Sequence, residues 1–273
     1  MGTELDARGV PTPAPLWSAE ALVHAPDVVA SIHRDYAAAG ATVHTANTFR
    51  TKRRQAGDRW EELCRLAVSI ARGAVPPGHR VAGSVAPLND CYRPDLSPKP
   101  SENARPEHRE LCRALAAAGV DLILCETFPH VGEALVAVEE AVQTGLSTWV
   151  SFTAGPEADL LSPAEVLTGA RESVSRGASA VLVNCVPAAR TLEYVRLLGD
   201  IGVPFGAYAN AGSPADKIGW GASGPDSIQL YLDFAQSWVD AGASIVGGCC
   251  GTGPAHIKAL AMHFCEGNDR GRG

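Results

Sequence analysis

The chain has 273 residues, 46% hydrophobic and 19% charged, which is ample for one large core and rules out general disorder. An excess of 30 acidic over 23 basic residues leaves a net charge of −7 and argues against a nucleic-acid surface. No apolar run approaches the ~18 residues of a membrane span, and the N-terminal MGTELDARGV lacks the apolar stretch of a secretory signal, so a cytoplasmic protein is expected.

After a mostly polar start and a Pro-rich stretch at 11–16, helix-like and strand-like segments alternate. A helix is predicted over 26–39, a strand over 41–48, a helix over 55–74 and a strand over 80–86. The stretch 89–106 has four prolines and no period; it follows a strand and precedes a helix, where barrel enzymes carry active-site loops. Then come a helix over 106–118, a strand over 120–127, a helix over 131–143, a strand over 148–153 and a helix over 163–176. A strand over 178–185, a helix over 188–198, a strand over 203–210, a helix over 226–241, a strand over 243–250 and a helix over 254–263 complete the series. Several strands are apolar nearly throughout, as parallel strands covered on both faces are. Prolines near helix starts (Pro163, Pro254) and glycines at helix ends (Gly119, Gly177, Gly242) punctuate the pattern. Seven strands and eight helices in regular alternation read as a (β/α)8 barrel or a doubly wound sheet, in one domain over 1–273 with a polar tail at 265–273. A strand is expected before the helix at Pro26, and none is legible there.

Eight cysteines in a reducing compartment more often serve as core fillers, metal ligands or catalytic thiols than as disulfides. The run Gly247-Gly248-Cys249-Cys250-Gly251-Thr252-Gly253-Pro254 carries the most content. Neighbouring side chains on a regular strand face opposite ways, but flanking glycines let the backbone leave strand geometry and bring both sulfurs toward one point. Cys185 closes another predicted strand, and in a parallel barrel the C-terminal strand ends share one face. Three thiolates with an open fourth position describe a catalytic zinc site; the bland alternative is three small buried packing residues. Cys64, Cys112 and Cys125 are expected to pack, and His256 to cap or pack rather than bind metal.

With those residues in hand, the sequence resembles the zinc- and homocysteine-dependent S-methyltransferases, the family of homocysteine methyltransferases and betaine–homocysteine methyltransferase. The resemblance is carried in order by MGTEL at 1–5, LWSAEAL at 16–22, HRDYAAAGA at 33–41, ANTF at 46–49 and GSV at 83–85. It continues through ETF at 126–128, NC at 184–185 and GGCCGTGPAHI at 247–257. It implies a (β/α)8 barrel with Zn2+ on Cys185, Cys249 and Cys250, and homocysteine's thiol as the fourth ligand. Methyl transfer from a sulfonium donor, S-methylmethionine or S-adenosylmethionine, would give methionine. It also implies that Glu126 binds the substrate amine, and that Asn47, Thr48, Tyr208 and Asn210 line the pocket. The family's YPNSG reads YANAG at 208–212 here, which alters that loop. MGTEL matches the end of the family's DGGMGTEL motif, so the first strand and its Asp-Gly are expected to be missing from these 273 residues. That leaves the strands at 41–48 and 243–250 as sheet edges. The competing readings are a zinc- or thiol-binding barrel without turnover, and the same chemistry on another thiol or a selenol. Small-molecule substrates are expected in each case, with no nucleic acid and no membrane.

Overall fold

The structure is a computed structural model describing residues 1–211 and 224–265. Its centre is one sheet of seven strands: β1 (Val43–Thr45), β2 (Arg80–Val85), β3 (Leu122–Phe128), β4 (Ser147–Phe152), β5 (Ala180–Pro187), β6 (Phe205–Asn210) and β7 (Ile245–Gly248). All adjacent pairs are parallel, and spatial order follows chain order. A doubly wound sheet needs a reversal of strand order. Here there is none, so right-handed crossovers put every connecting helix on one face and the sheet curls. That settles the architecture as barrel-like.

The helices are α1 (Gly2–Ala7), α2 (Ala21–His24), α3 (Pro26–Ala38), α4 (Arg53–Ala56), α5 (Trp60–Ala74) and α6 (Arg105–Ala118). They continue with α7 (Val131–Val142), α8 (Pro163–Ser175), α9 (Ala188–Val195), α10 (Pro225–Asp240) and α11 (Pro254–Phe264). Local chemistry sets their starts. Ser162 and Glu165 form a reciprocal capping box on α8, and the His130 ring accepts from the Glu133 N–H at α7. Two expectations need correction. The helix read over 55–74 is broken by a tight turn at Gly57–Arg59, and the polar start is itself helical as α1, whose Leu5 packs among Leu22, Val29 and Ile32. The described residues thus hold more helices than the eight read. The tail at 266–273 and Gly212 lie outside the described residues.

Strand side chains alternate between two apolar environments, which explains the nearly unbroken apolar runs. Ala82, Leu122, Leu124 and Leu182 face inward with Val43, Trp149, Tyr208 and Ile245. Val81, Ile123, Val150, Val181, Val183 and Ala207 face outward into the helical layer. Cys64, Cys112 and Cys125 lie in that outer layer, as expected of packing residues. The sheet ends at β1 and β7, the two edges expected from the sequence and its two shortest strands; short edges expose few unpaired backbone groups. Thr45 on β1 is exposed and all of β7 is half-buried. The helical ring nevertheless closes over this side. A side chain at Gly40, just after α3, would meet the Ala261 Cβ of α11 at 2.5 Å.

Candidate metal and substrate site

The sequence after β7 is built to turn back. The Thr252 N–H and hydroxyl both donate to the Cys249 carbonyl, at 3.3 and 2.8 Å, with Gly251 at φ +75°. A side chain at Gly248 would meet Thr252 Oγ1 at 2.2 Å, so only glycine allows the turn to pack this closely. Pairing with β6 continues past the strand: the Cys249 N–H donates to Ala209 O at 2.8 Å, and Cys250 O accepts from the Ala211 N–H at 2.9 Å. Tyr36 from α3 pins the turn by donating to Thr252 O at 2.9 Å. The β5 thiol arrives differently. The register between β5 and β6 slips between Asn184 and Pro187, and Cys185 has φ +53°.

These two irregularities bring the Sγ atoms of Cys185, Cys249 and Cys250 within 4.8 Å of one another. All three cysteines are free, the first buried and the others half-buried. In tetrahedral coordination with Zn–S bonds of ~2.3 Å, ligand sulfurs lie about 3.8 Å apart, so small side-chain rotations suffice to close the set around one ion. The thiols also perturb each other. Hydrogen bonds from Cys185 and Cys249 push Cys250 far below the ordinary thiol range, while the hydrogen bonds among the thiols, then burial and the charge of Cys250, leave the other two raised.

Beneath the thiols the barrel interior turns polar. Glu126, on β3, is 8% exposed and accepts hydrogen bonds from Ser84 Oγ on β2 and from Tyr208 OH on β6, the latter at 3.0 Å. Burial raises its carboxyl above the usual range. The two hydroxyl donors oppose that rise, and the charge of Cys250 adds to it, so the two groups lie within electrostatic reach. Asn210 is fully buried; its Oδ1 accepts from the Cys250 N–H at 3.2 Å and its Nδ2 has no partner among the described residues.

Asn47 and Thr48 are at the expected strand end, but their polar atoms are engaged within the protein. Asn47 Oδ1 accepts from Ser18 Oγ and its Nδ2 donates to Ser18 O, both at 2.8 Å. Thr48 Oγ1 donates to Ser84 O and accepts from the Ser84 N–H, both at 2.9 Å. His256 caps its own helix, its Nδ1 accepting from the Gly253 N–H at 3.1 Å.

Sequence reasoning missed several neighbours. Ser84 lies inside the GSV motif and Thr127 inside ETF, neither with a role legible from the motif, and Ser151 carries no signal of its own. Tyr92 was visible only as part of the Pro-rich loop. Burial and the charges of Cys185, Cys249 and Cys250 push its phenol up, so Tyr92 lies within electrostatic reach of the thiols. The loop's base is anchored by Glu133, whose carboxylate accepts from the Leu88 N–H at 2.7 Å, and by Lys52, which donates to Ala86 O at 3.3 Å.

A model of the homocysteine S-methyltransferase family matches residues 1–264. The chain is 32% identical to homocysteine S-methyltransferase of Escherichia coli (strain K12), covering 95% of this chain and 92% of the relative. It is 31% identical to homocysteine S-methyltransferase 4 of Zea mays, over 97% and 88% of the two chains. The fold superposes on the metallated form of the homocysteine methyltransferase MmuM from Escherichia coli with a TM-score of 0.78 at 28% identity, covering 96% of this chain and 93% of that one.

Proposed function

The chain belongs to the homocysteine S-methyltransferase family, and from that premise we propose that it moves a methyl group from a sulfonium donor to homocysteine beside a zinc ion held by Cys185, Cys249 and Cys250. The observation that carries this reading is the convergence of three free thiols within 4.8 Å at the mouth of the barrel. An all-sulfur set suits a soft divalent ion, and three ligands leave a fourth position for substrate. The metallated state of the Escherichia coli neighbour supports the same assignment. Bound there, zinc would supply a site at which a substrate thiol loses its proton at neutral pH.

The protein's own groups bind and orient. Glu126, held by Ser84 and Tyr208, receives the substrate ammonium as a carboxylate. Asn210 offers its unpartnered Nδ2 to the substrate carboxylate. Asn47 and Thr48 shape the wall through Ser18 and Ser84 rather than by contact. The homocysteine sulfur then attacks the donor methyl in line. A new S–CH3 bond forms from the sulfur lone pair, the donor's C–S bond breaks, and its electron pair stays on the donor sulfur, which becomes a neutral thioether. S-methylmethionine or S-adenosylmethionine fits as donor, because a cationic sulfonium is drawn to a chain of net charge −7. The product of this reaction is methionine, and the role that follows from it is methionine formation. Eight free cysteines fit a reducing, cytoplasmic setting.

Elemental analysis of protein purified with zinc present tests the reading, together with methionine formation from homocysteine and each donor. The expected result is about one zinc per chain and turnover with a sulfonium donor, both lost in Cys249→Ser. A metal-free wild type, or a variant that retains zinc, would overturn the assignment.

A further inference from the structure

Two residues of the site hold a left-handed backbone that non-glycine residues rarely adopt: Thr127 at φ +61° and Cys185 at φ +53°. Each lies where a strand slips register with its neighbour, between Cys125 and Phe128 on β3 and between Asn184 and Pro187 on β5. Thr127 directly follows Glu126. Cys185 directly follows Asn184.

The Asn184 side chain joins the two irregularities. Its Oδ1 accepts from the Thr127 N–H at 3.1 Å and from Ser151 Oγ on β4 at 2.7 Å, and its Nδ2 donates to Thr127 Oγ1 at 2.7 Å. A peptide N–H can only donate, so the atom facing it is the amide oxygen and the side-chain orientation is determined. Asn184 and Ser151 are fully buried and Thr127 is 2% exposed, so no bulk water competes for these bonds. Strands β3 and β5 share no ladder; each pairs with β4 between them. The amide is therefore a direct tie across the barrel interior between two strands that share no backbone ladder.

We propose that Asn184 is a positioning residue that locks the Glu126 carboxylate and the Cys185 thiol into one rigid unit, setting the span between amine site and metal site. The proposal rests on the function proposed above. Without the amide, Thr127 is free to relax toward extended geometry, which turns Glu126 relative to the thiols. The same release reaches Cys185 through its own neighbour. An inert amide in the wall would not couple a β3 substitution to metal binding; this arrangement does.

The test uses Thr127→Val, which keeps the β-branched shape and the N–H bond to Asn184 Oδ1, removes the hydroxyl that accepts from Asn184 Nδ2, and replaces none of the three thiols. Zinc affinity is read by chelator competition, and homocysteine affinity by calorimetry on zinc-loaded protein. Thr127→Val is expected to weaken both by about tenfold, the scale of one buried hydrogen bond. Thr127→Ser should retain both. Thr127→Val combined with Asn184→Ala should be no worse than Asn184→Ala alone, because the Thr127 hydroxyl acts only through the Asn184 amide. Wild-type zinc affinity in Thr127→Val, or additive losses in the double variant, would overturn the proposal. Should Asn184→Ala fail to fold, Thr127→Val still decides. A wild type that binds zinc but not homocysteine would refute the functional reading instead, leaving the zinc measurement to judge the clamp. One that binds no zinc refutes both.

Discussion

Replacing Tyr208 by phenylalanine removes one hydroxyl from the barrel interior while keeping the ring that packs with Leu124 and Leu182. That hydroxyl donates to Glu126 Oε2 at 3.0 Å, and the carboxylate is only 8% exposed, so bulk water does not replace the lost donor. A hydrogen bond to a charged group contributes about 1.5–3 kcal/mol, which corresponds to a loss of homocysteine affinity between about tenfold and a hundredfold. The pH dependence follows in sign. Burial already holds the Glu126 carboxyl above its ordinary range, with Tyr208 and Ser84 pulling the other way. Removing Tyr208's hydroxyl favours the protonated acid further, and a protonated acid does not pair with an ammonium. Substrate binding should therefore fail at a higher pH in Tyr208→Phe than in wild type. Steady-state KM for homocysteine, measured from about pH 5.5 to 8.5 at saturating donor, reads both effects, with kcat at neutral pH changed far less than KM. An unchanged KM with an unmoved acid limb would show that Glu126 does not meet the substrate amine, and loss of zinc in this variant would mean that Tyr208 belongs to the metal site.

Acid should weaken the fold through its buried histidines. His33 is held down to about 3, by burial first and then by His44, and His44 to about 4, by burial and then by His79, whose Nδ1 lies 3.0 Å from its Nε2. Both stay neutral in the folded chain while the unfolded chain takes up protons near pH 6.5. Their stabilisation is thus complete above that pH and falls as pH drops toward 4, by up to about 2.7 kcal/mol per pH unit for the two together. Urea midpoints at pH 7 and pH 5 check this, and equal midpoints would contradict it. Gly206→Ala should disrupt the β6–β7 pairing, since an added Cβ would sit 1.7 Å from the Ile245 carbonyl oxygen. A loss of several kcal/mol, at least about 3, is expected, with zinc content falling because β7 leads into Cys249 and Cys250; wild-type melting with full zinc would refute it.

The alternation of elements was legible because each parallel strand is buried on both faces and each helix has its own start and stop chemistry, as at Ser162 and Gly119. Edges between elements were less so. β1 shrinks to Val43–Thr45 from a predicted 41–48, because among the described residues no strand neighbours its outer edge to extend the ladder. The helix within 55–74 breaks at Gly57–Arg59 despite a continuing apolar period. The polar opening gave no strand signal, and its helix is stabilised by the tertiary contacts of Leu5.

By itself the sequence determined the chemistry available: three cysteines at two strand ends, two of them an adjacent pair flanked by glycines, and a glutamate closing a third strand. Those are matters of residue type and spacing, which local backbone rules and family resemblance can read. Tertiary structure alone decided how the groups are used. It engaged Asn47 with Ser18 and Thr48 with Ser84, left the Asn210 Nδ2 unpartnered among the described residues, and set Ser84 and Tyr208 on either side of Glu126. It also joined Thr127 to Asn184 across β4. The reason is that a buried polar group acts according to which partner reaches it, and in a curled parallel sheet those partners come from strands distant along the chain, meeting only once the interior closes.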